Sequence, residues 1–351
     1  MMHIRRVLVV ATAVAALAAA APDALAQKVD KQTRKEQERR SKQEQSDIQA
    51  LVQMVDAVNA GTLPAPADIA VAWESNHFVK SSDASTYIPF TVMIDPSKLA
   101  SPGVALYVRA VEKAPAAAAS APPNDRAKNQ APVYAWDNVH FLDVPADGKV
   151  SRALAVKAGE YDLFIAVKEK TPAQQPKNAP PAKAGMIKRD LSVPDFTAPS
   201  LKTSTVIIAK LIEPVTTALT PEQQQENPYT FGSMKVTPSI DMKLKKSGEL
   251  QVLFWIYGMQ QTSGKPDVQV EYSFHQKMAE GEKFFNKTAP QLLNASTLPP
   301  QFDAAAGHQL PGSLVVPLAS FPVGEYRLEI KITDKVSGQT LTQNSTFTVE
   351  S

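Results

Sequence analysis

Residues 324–334 read Gly324-Glu-Tyr-Arg-Leu-Glu-Ile-Lys-Ile-Thr-Asp334. Tyr326, Leu328, Ile330 and Ile332 alternate with Arg327, Glu329, Lys331 and Thr333. Side chains on a strand point to opposite faces with period two, so this pattern predicts a strand with one buried and one wet face. Pro322 and Gly324 mark a turn before it, and Ser337-Gly338 marks a turn after it. The following segment, Thr340 to Val349, brings Leu341, Phe347 and Val349 back to the same core.

The signature occurs a second time. Gly159 to Val167 reads GEYDLFIAV, with Tyr161, Leu163, Ile165 and Val167 on the inner face. The surrounding order repeats as well. Tyr87–Ile94 and Val104–Val111 precede the first copy as Glu249–Tyr257 and Val268–Phe274 precede the second. Repetition over so long a period points to a duplicated domain and not to a stacked array. The expected fold is all-β: two immunoglobulin-like antiparallel β-sandwiches preceded by an N-terminal helix. Each tyrosine is expected to be buried at an equivalent place, tied back to backbone as in a tyrosine corner.

Residues 1–26 read as a secretory signal peptide. Arg5 and Arg6 precede a short apolar run, Val7 to Ala21, and Ala24-Leu25-Ala26 is a small-residue cleavage motif. The run falls short of the roughly 20 apolar residues that a span requires. Cleavage after Ala26 would make Gln27 the first mature residue and place the protein in the periplasm or outside the cell. The 351-residue chain has no cysteine, so each sandwich must fold by core burial without a disulfide. A net charge of +2 gives no electrostatic case for nucleic acid or an anionic membrane surface.

Within residues 27–62, a charged and Gln-rich stretch leads into Ile48, Leu51, Val52, Val55 and Val58 at helical spacing. The spacing predicts a helix over roughly Lys31 to Asn59, stopped by Gly61 and Pro64. Its apolar seam is too short for a stable coiled coil, so the expectation is a solvated arm whose end docks on the body. The first sandwich is expected over 63–196. Two Pro/Ala-rich insertions within it, 114–132 and 171–185, have the composition of disordered loops. The second sandwich is expected over 197–351. Its first strand falls near Val206–Ile212, and residues 221–228 read as a Gln/Glu loop.

The sequence carries few recognisable chemical motifs. His3, His77, His140, His275 and His308 share no metal-ligand spacing. Neither HExxH, GxSxG, SxxK, GxxxxGK[ST] nor GxGxxG occurs. The acidic turn Asp143, Asp147, Gly148 does not by itself display the ligand count of a calcium cage. No catalytic, metal or cofactor-binding residue is therefore expected, and no cofactor. One strand breaks the two-faced rule. In Leu250–Met259, Val252, Phe254 and Ile256 point inward, which leaves Leu253, Trp255, Tyr257 and Met259 outward. An apolar patch of that size is either covered or functional. Cover could come from the N-terminal helix, from residues 294–311 or from the first sandwich. Left bare, the patch would be a docking site for a protein or a sugar.

The stretches NPYTFGSMKVTP (227–238), GEKFFNKT (281–288), TLPPQFDAAAGHQLP (297–311) and ASFPVGEYRLEIKITDK (319–335) carry a resemblance. They are similar to the C-terminal β-sandwich region of certain uncharacterised exported bacterial proteins, some with von Willebrand A-like or GWxTD-type regions elsewhere. The resemblance covers roughly 227–349. It implies export and an immunoglobulin-like architecture, and supplies no site residues. The DxSxS-type metal motif of von Willebrand A modules is absent, so metal-dependent adhesion does not carry over. The expected role is non-catalytic: an exported binding or scaffolding protein with a protein partner. A carbohydrate-binding accessory module that meets a polysaccharide is the alternative, and a hydrolase stands third.

Overall fold

The computed structural model describes residues 23–351 apart from 114–133, 173–179, 218 and 305, with backbone alone for 23–36 and 221. The expected leader and the 114–132 insertion thus lie almost wholly outside the described residues. Helix α1 runs over Asp23–Asn59. It begins before the expected start because Ala24-Leu25-Ala26-Gln27-Lys28 are strong helix formers.

Two sandwiches follow. The first contains β1 (Val71–Asn76), β2 (Thr86–Ile94), β3 (Gly103–Glu112), β4 (Trp136–Asp143), β5 (Lys149–Val156), β6 (Gly159–Glu169) and β7 (Ala184–Val193). The second contains β8 (Ile207–Pro214), β9 (Glu249–Tyr257), β10 (Val268–Met278), β11 (Gly281–Lys287), β12 (Leu310–Pro317), β13 (Gly324–Asp334) and β14 (Thr340–Glu350). In the first, β1-β2-β5 forms one sheet and β4-β3-β6-β7 the other, all antiparallel. In the second, β8-β9-β12 and β11-β10-β13-β14 repeat that order strand for strand. Additions decorate the second copy. A hairpin, Thr230–Phe231 with Met234–Pro238, extends the β8 edge, and Lys243–Lys245 pairs in parallel with β14.

Each sandwich has its own core. Ile88, Phe90, Val92, Leu106, Val108, Leu163 and Ile165 are at the centre of the first. Val252, Phe254, Ile256, Val270, Phe274, Leu328 and Ile330 are at the centre of the second. The two GEY tyrosines occupy equivalent places on β6 and β13, both fully buried. The Tyr161 hydroxyl donates to the carbonyl of Lys157 at 2.9 Å, and that of Tyr326 to the carbonyl of Pro322 at 2.7 Å. Both bonds reach back four residues, which is the tyrosine-corner connection at the start of a late strand. Tyr161→Phe and Tyr326→Phe are each expected to lower stability by about 1–2 kcal/mol, because a carbonyl loses its donor while the ring still packs. Urea denaturation of each variant measures this, and wild-type midpoints would mean the hydroxyls are idle.

The outer faces of the two GEY sheets differ. On the second, a half-buried Arg327 bridges Glu282 and Glu329 and donates to Asn344 on a polar face. On the first, the same face is apolar and α1 lies on it. Leu51 and Val55 pack against Ala105 and Tyr107 of β3, Phe164 and Ala166 of β6, and Met186 of β7. Two ion pairs pin the helix, Asp47 with Lys168 and Asp56 with Arg109. Asp47 also accepts from the Thr171 hydroxyl at 2.7 Å and its N–H at 3.1 Å. Those bonds anchor the first residue of the 171–185 insertion. The end of the arm therefore docks, as expected. It docks on the first sandwich, however, and does not cover the β9 face.

Residues 221–228, expected as a loop, include a short helix, α2 (Pro221–Glu226). Thr220 and Gln223 form a reciprocal capping box, and Pro221 holds the first turn. The whole segment is polar, so no apolar periodicity announced it.

Candidate functional site

The outer face of β9 was the sequence's one candidate patch, and it forms the seam between the sandwiches. Leu253, Trp255 and Tyr257 all point outward on β9 and are buried, with Trp255 and Tyr257 each 5% exposed. Val79 of the first sandwich, Phe196 of the connection, and Tyr229 and Val236 of the second sandwich close over them, with Phe78 and Phe231 at the margin. Ring centroids of Phe231 and Trp255 are 4.8 Å apart, and those of Phe196 and Tyr257 are 5.0 Å apart. The Thr230–Pro238 hairpin delivers Phe231. Its two-residue loop opens on Gly232 at φ +59°, the backbone such a tight turn needs.

Met259 does not belong to this patch. Gly258 adopts φ +68°, and a Cβ there would stand 1.9 Å from the Ser200 carbonyl oxygen. The chain turns at that point, alternation ends, and Met259 packs half-buried against the core of the second sandwich.

Polar groups fasten the seam. The Lys80 N–H donates to the Tyr257 hydroxyl at 3.1 Å. Phe78 donates to Thr205 Oγ1 and accepts from the Thr205 N–H, both at 3.0 Å. Tyr87 donates to the Pro228 carbonyl at 2.9 Å, and Gln309 Nε2 to the Lys80 carbonyl at 3.1 Å. His77 Nδ1 lies 3.1 Å from the Tyr229 hydroxyl, with the rings edge to face. Burial pushes the Tyr229 hydroxyl up to about 12 and Tyr257 higher still, so both remain protonated.

The histidines are dispersed. His77 sits in the seam, and His140 is buried in β4 with no partner for Nε2. His275 lies on the wet face beside Phe284, and His308 accepts from the Asp303 N–H at 3.1 Å. Among the described residues no group of three or more His, Cys, Asp or Glu could hold a metal. In the acidic turn, Asp147 accepts from the Lys149 N–H at 3.1 Å, and Asp143 faces Lys170 at 3.7 Å.

Burial holds His77 and His140 at about 4, helped at His140 by the Arg152 cation. The unfolded chain takes up these protons near 6.5. Between those values the unfolded state binds more protons, so stability is full above about pH 6.5 and falls as pH drops toward about 4. Urea midpoints measured from pH 7.5 to pH 4 should decline over this window. The decline should flatten in a His77→Asn, His140→Asn double variant, and an equal slope in that variant would contradict the assignment.

No family model matches the chain, and no curated protein matches it. Two solved structures of Escherichia coli alpha-2-macroglobulin align with it, one activated by porcine elastase and one by trypsin. Identities are 13% and 10%, and TM-scores are 0.23 and 0.22. Each alignment covers 82% of this chain and 24% or 17% of the other, so the chain spans about a quarter or less of their length. The fold assignment rests on the paired sheets themselves. No helix among the described residues is long and apolar enough to cross a membrane.

Proposed function

We propose that this chain is an exported, non-catalytic binding or scaffolding protein that engages a protein partner. The carrying observation is where Trp255 and Tyr257 lie. They join the two sandwiches, and their burial supports a scaffold over a glycan platform, which would need an open ring. The reciprocal bonds between Phe78 and Thr205, one to the Thr205 hydroxyl and one between backbones, support a fixed geometry between the two units. The resemblance of residues 227–349 to exported bacterial proteins and the leader-like 1–26 agree with export to the periplasm or beyond.

The partner surface fits the far end of the second sandwich. Met278, Phe284 and Val323 are each more than half exposed there. Tyr326 pairs with Gln276, so Val323 and Met278 both lie beyond that pair at one end. Residues 27–351 used as bait in extracts of the exporting cell should retain a protein, and Phe284→Glu should release it. Retention on an insoluble polysaccharide with no protein retained would favour the carbohydrate reading instead. Cell fractionation tests the compartment directly.

A further inference from the structure

The seam leaves a cleft of about 580 Å3 beside Trp255. That lies within the size range of small-molecule sites, which gather at junctions between domains. Its body is apolar, built on Trp255, Phe231 and Met234 from the second sandwich and Tyr87 from the first. Lys80 is the single charged residue of the lining. No carboxylate lies within ion-pair distance of its ammonium among the described residues. Its backbone is held from both sides, the N–H by Tyr257 and the carbonyl by Gln309. Thr230 also lines the cleft, with its hydroxyl sealed inside the protein.

We propose that this cleft binds a small amphiphilic anion, with an apolar body on Phe231, Met234 and Tyr87 and a single acidic head toward Lys80. The lining holds one cation and no carboxylate, so a cationic ligand would find no counter-charge and a neutral one would leave Lys80 unused. A scaffolding role requires no such site, so the proposal goes beyond it and can fail without it.

The test titrates the full mature chain with 8-anilinonaphthalene-1-sulfonate, a flat apolar body with one sulfonate, and displaces it with decanoate or with decanol. One dye per chain is expected, displaced by both. Ser82→Trp, placed on the exposed rim, should weaken dye binding by more than about tenfold. Lys80→Gln should weaken decanoate by about fivefold and leave decanol unchanged. Circular dichroism checks that each variant is folded, and Ser81→Trp replaces the rim variant if Ser82→Trp is not. No dye binding, or dye binding indifferent to the rim variant, overturns the site. An equal effect of Lys80→Gln on decanoate and decanol overturns the acidic head.

Discussion

Trp255→Ala is expected to lower the stability of the protein by about 4 kcal/mol, the scale for removing a buried tryptophan. The indole sits in the seam, against Phe231 at 4.8 Å and beside Leu253 and Tyr257 on β9. Its loss leaves a cavity that spans elements of both sandwiches, so the surroundings cannot close over it by shifting one side chain. The two cores are separate clusters, so weakening their junction should also split a single unfolding transition into two. Denaturation followed by tryptophan emission and by far-ultraviolet circular dichroism would show the split as midpoints that no longer coincide. A variant of wild-type stability, or a wild-type Trp255 freely quenched by acrylamide, would mean that the seam opens in solution.

Asp47→Ala should cost about 3 kcal/mol by a different route. The carboxylate is almost fully buried, and the Lys168 side chain it meets is only 12% exposed. Removing one partner leaves a shielded cation without compensation, and the Thr171 hydroxyl and N–H lose their acceptor too. The double variant Asp47→Leu, Lys168→Met should recover most of the loss, because apolar groups of similar size need no pairing. Limited proteolysis reads the same change locally, with cleavage inside α1 rising in the single variant alone. Equal destabilisation in the single and double variants would mean that helix packing, and not the stranded charge, sets the cost.

The GEY strands were legible because period two is a local property and each strand carries its own tyrosine and turn. The need for cover over Leu253, Trp255 and Tyr257 was legible for the same reason. The identity of the cover was not. Phe78, Phe196 and Tyr229 lie in segments with no periodicity, and they meet only once both sheets have formed. The docking face for α1 did leave a trace. β3 reads Val104-Ala-Leu-Tyr-Val-Arg-Ala110, apolar on both sides, and Phe164 and Ala166 fill what should be the wet side of β6. Arg109 masked it, because a charged residue in a strand suggests solvent, whereas here it is buried with Asp56. Met259 was misplaced on the patch for want of one turn. The Tyr257-Gly258-Met259 step carries the glycine that ends alternation, and a reading by period alone runs through it.

The identical pairing order of the two sandwiches has an evolutionary reading. Each copy has hidden a different flank, the first under its own helix and the second against its neighbour. Copies that have diverged in this way are no longer interchangeable. A third unit spliced into the chain would find neither a helix to shelter it nor a matching flank to lean on. Exchanging the two sandwiches within the chain would strip both flanks of their cover.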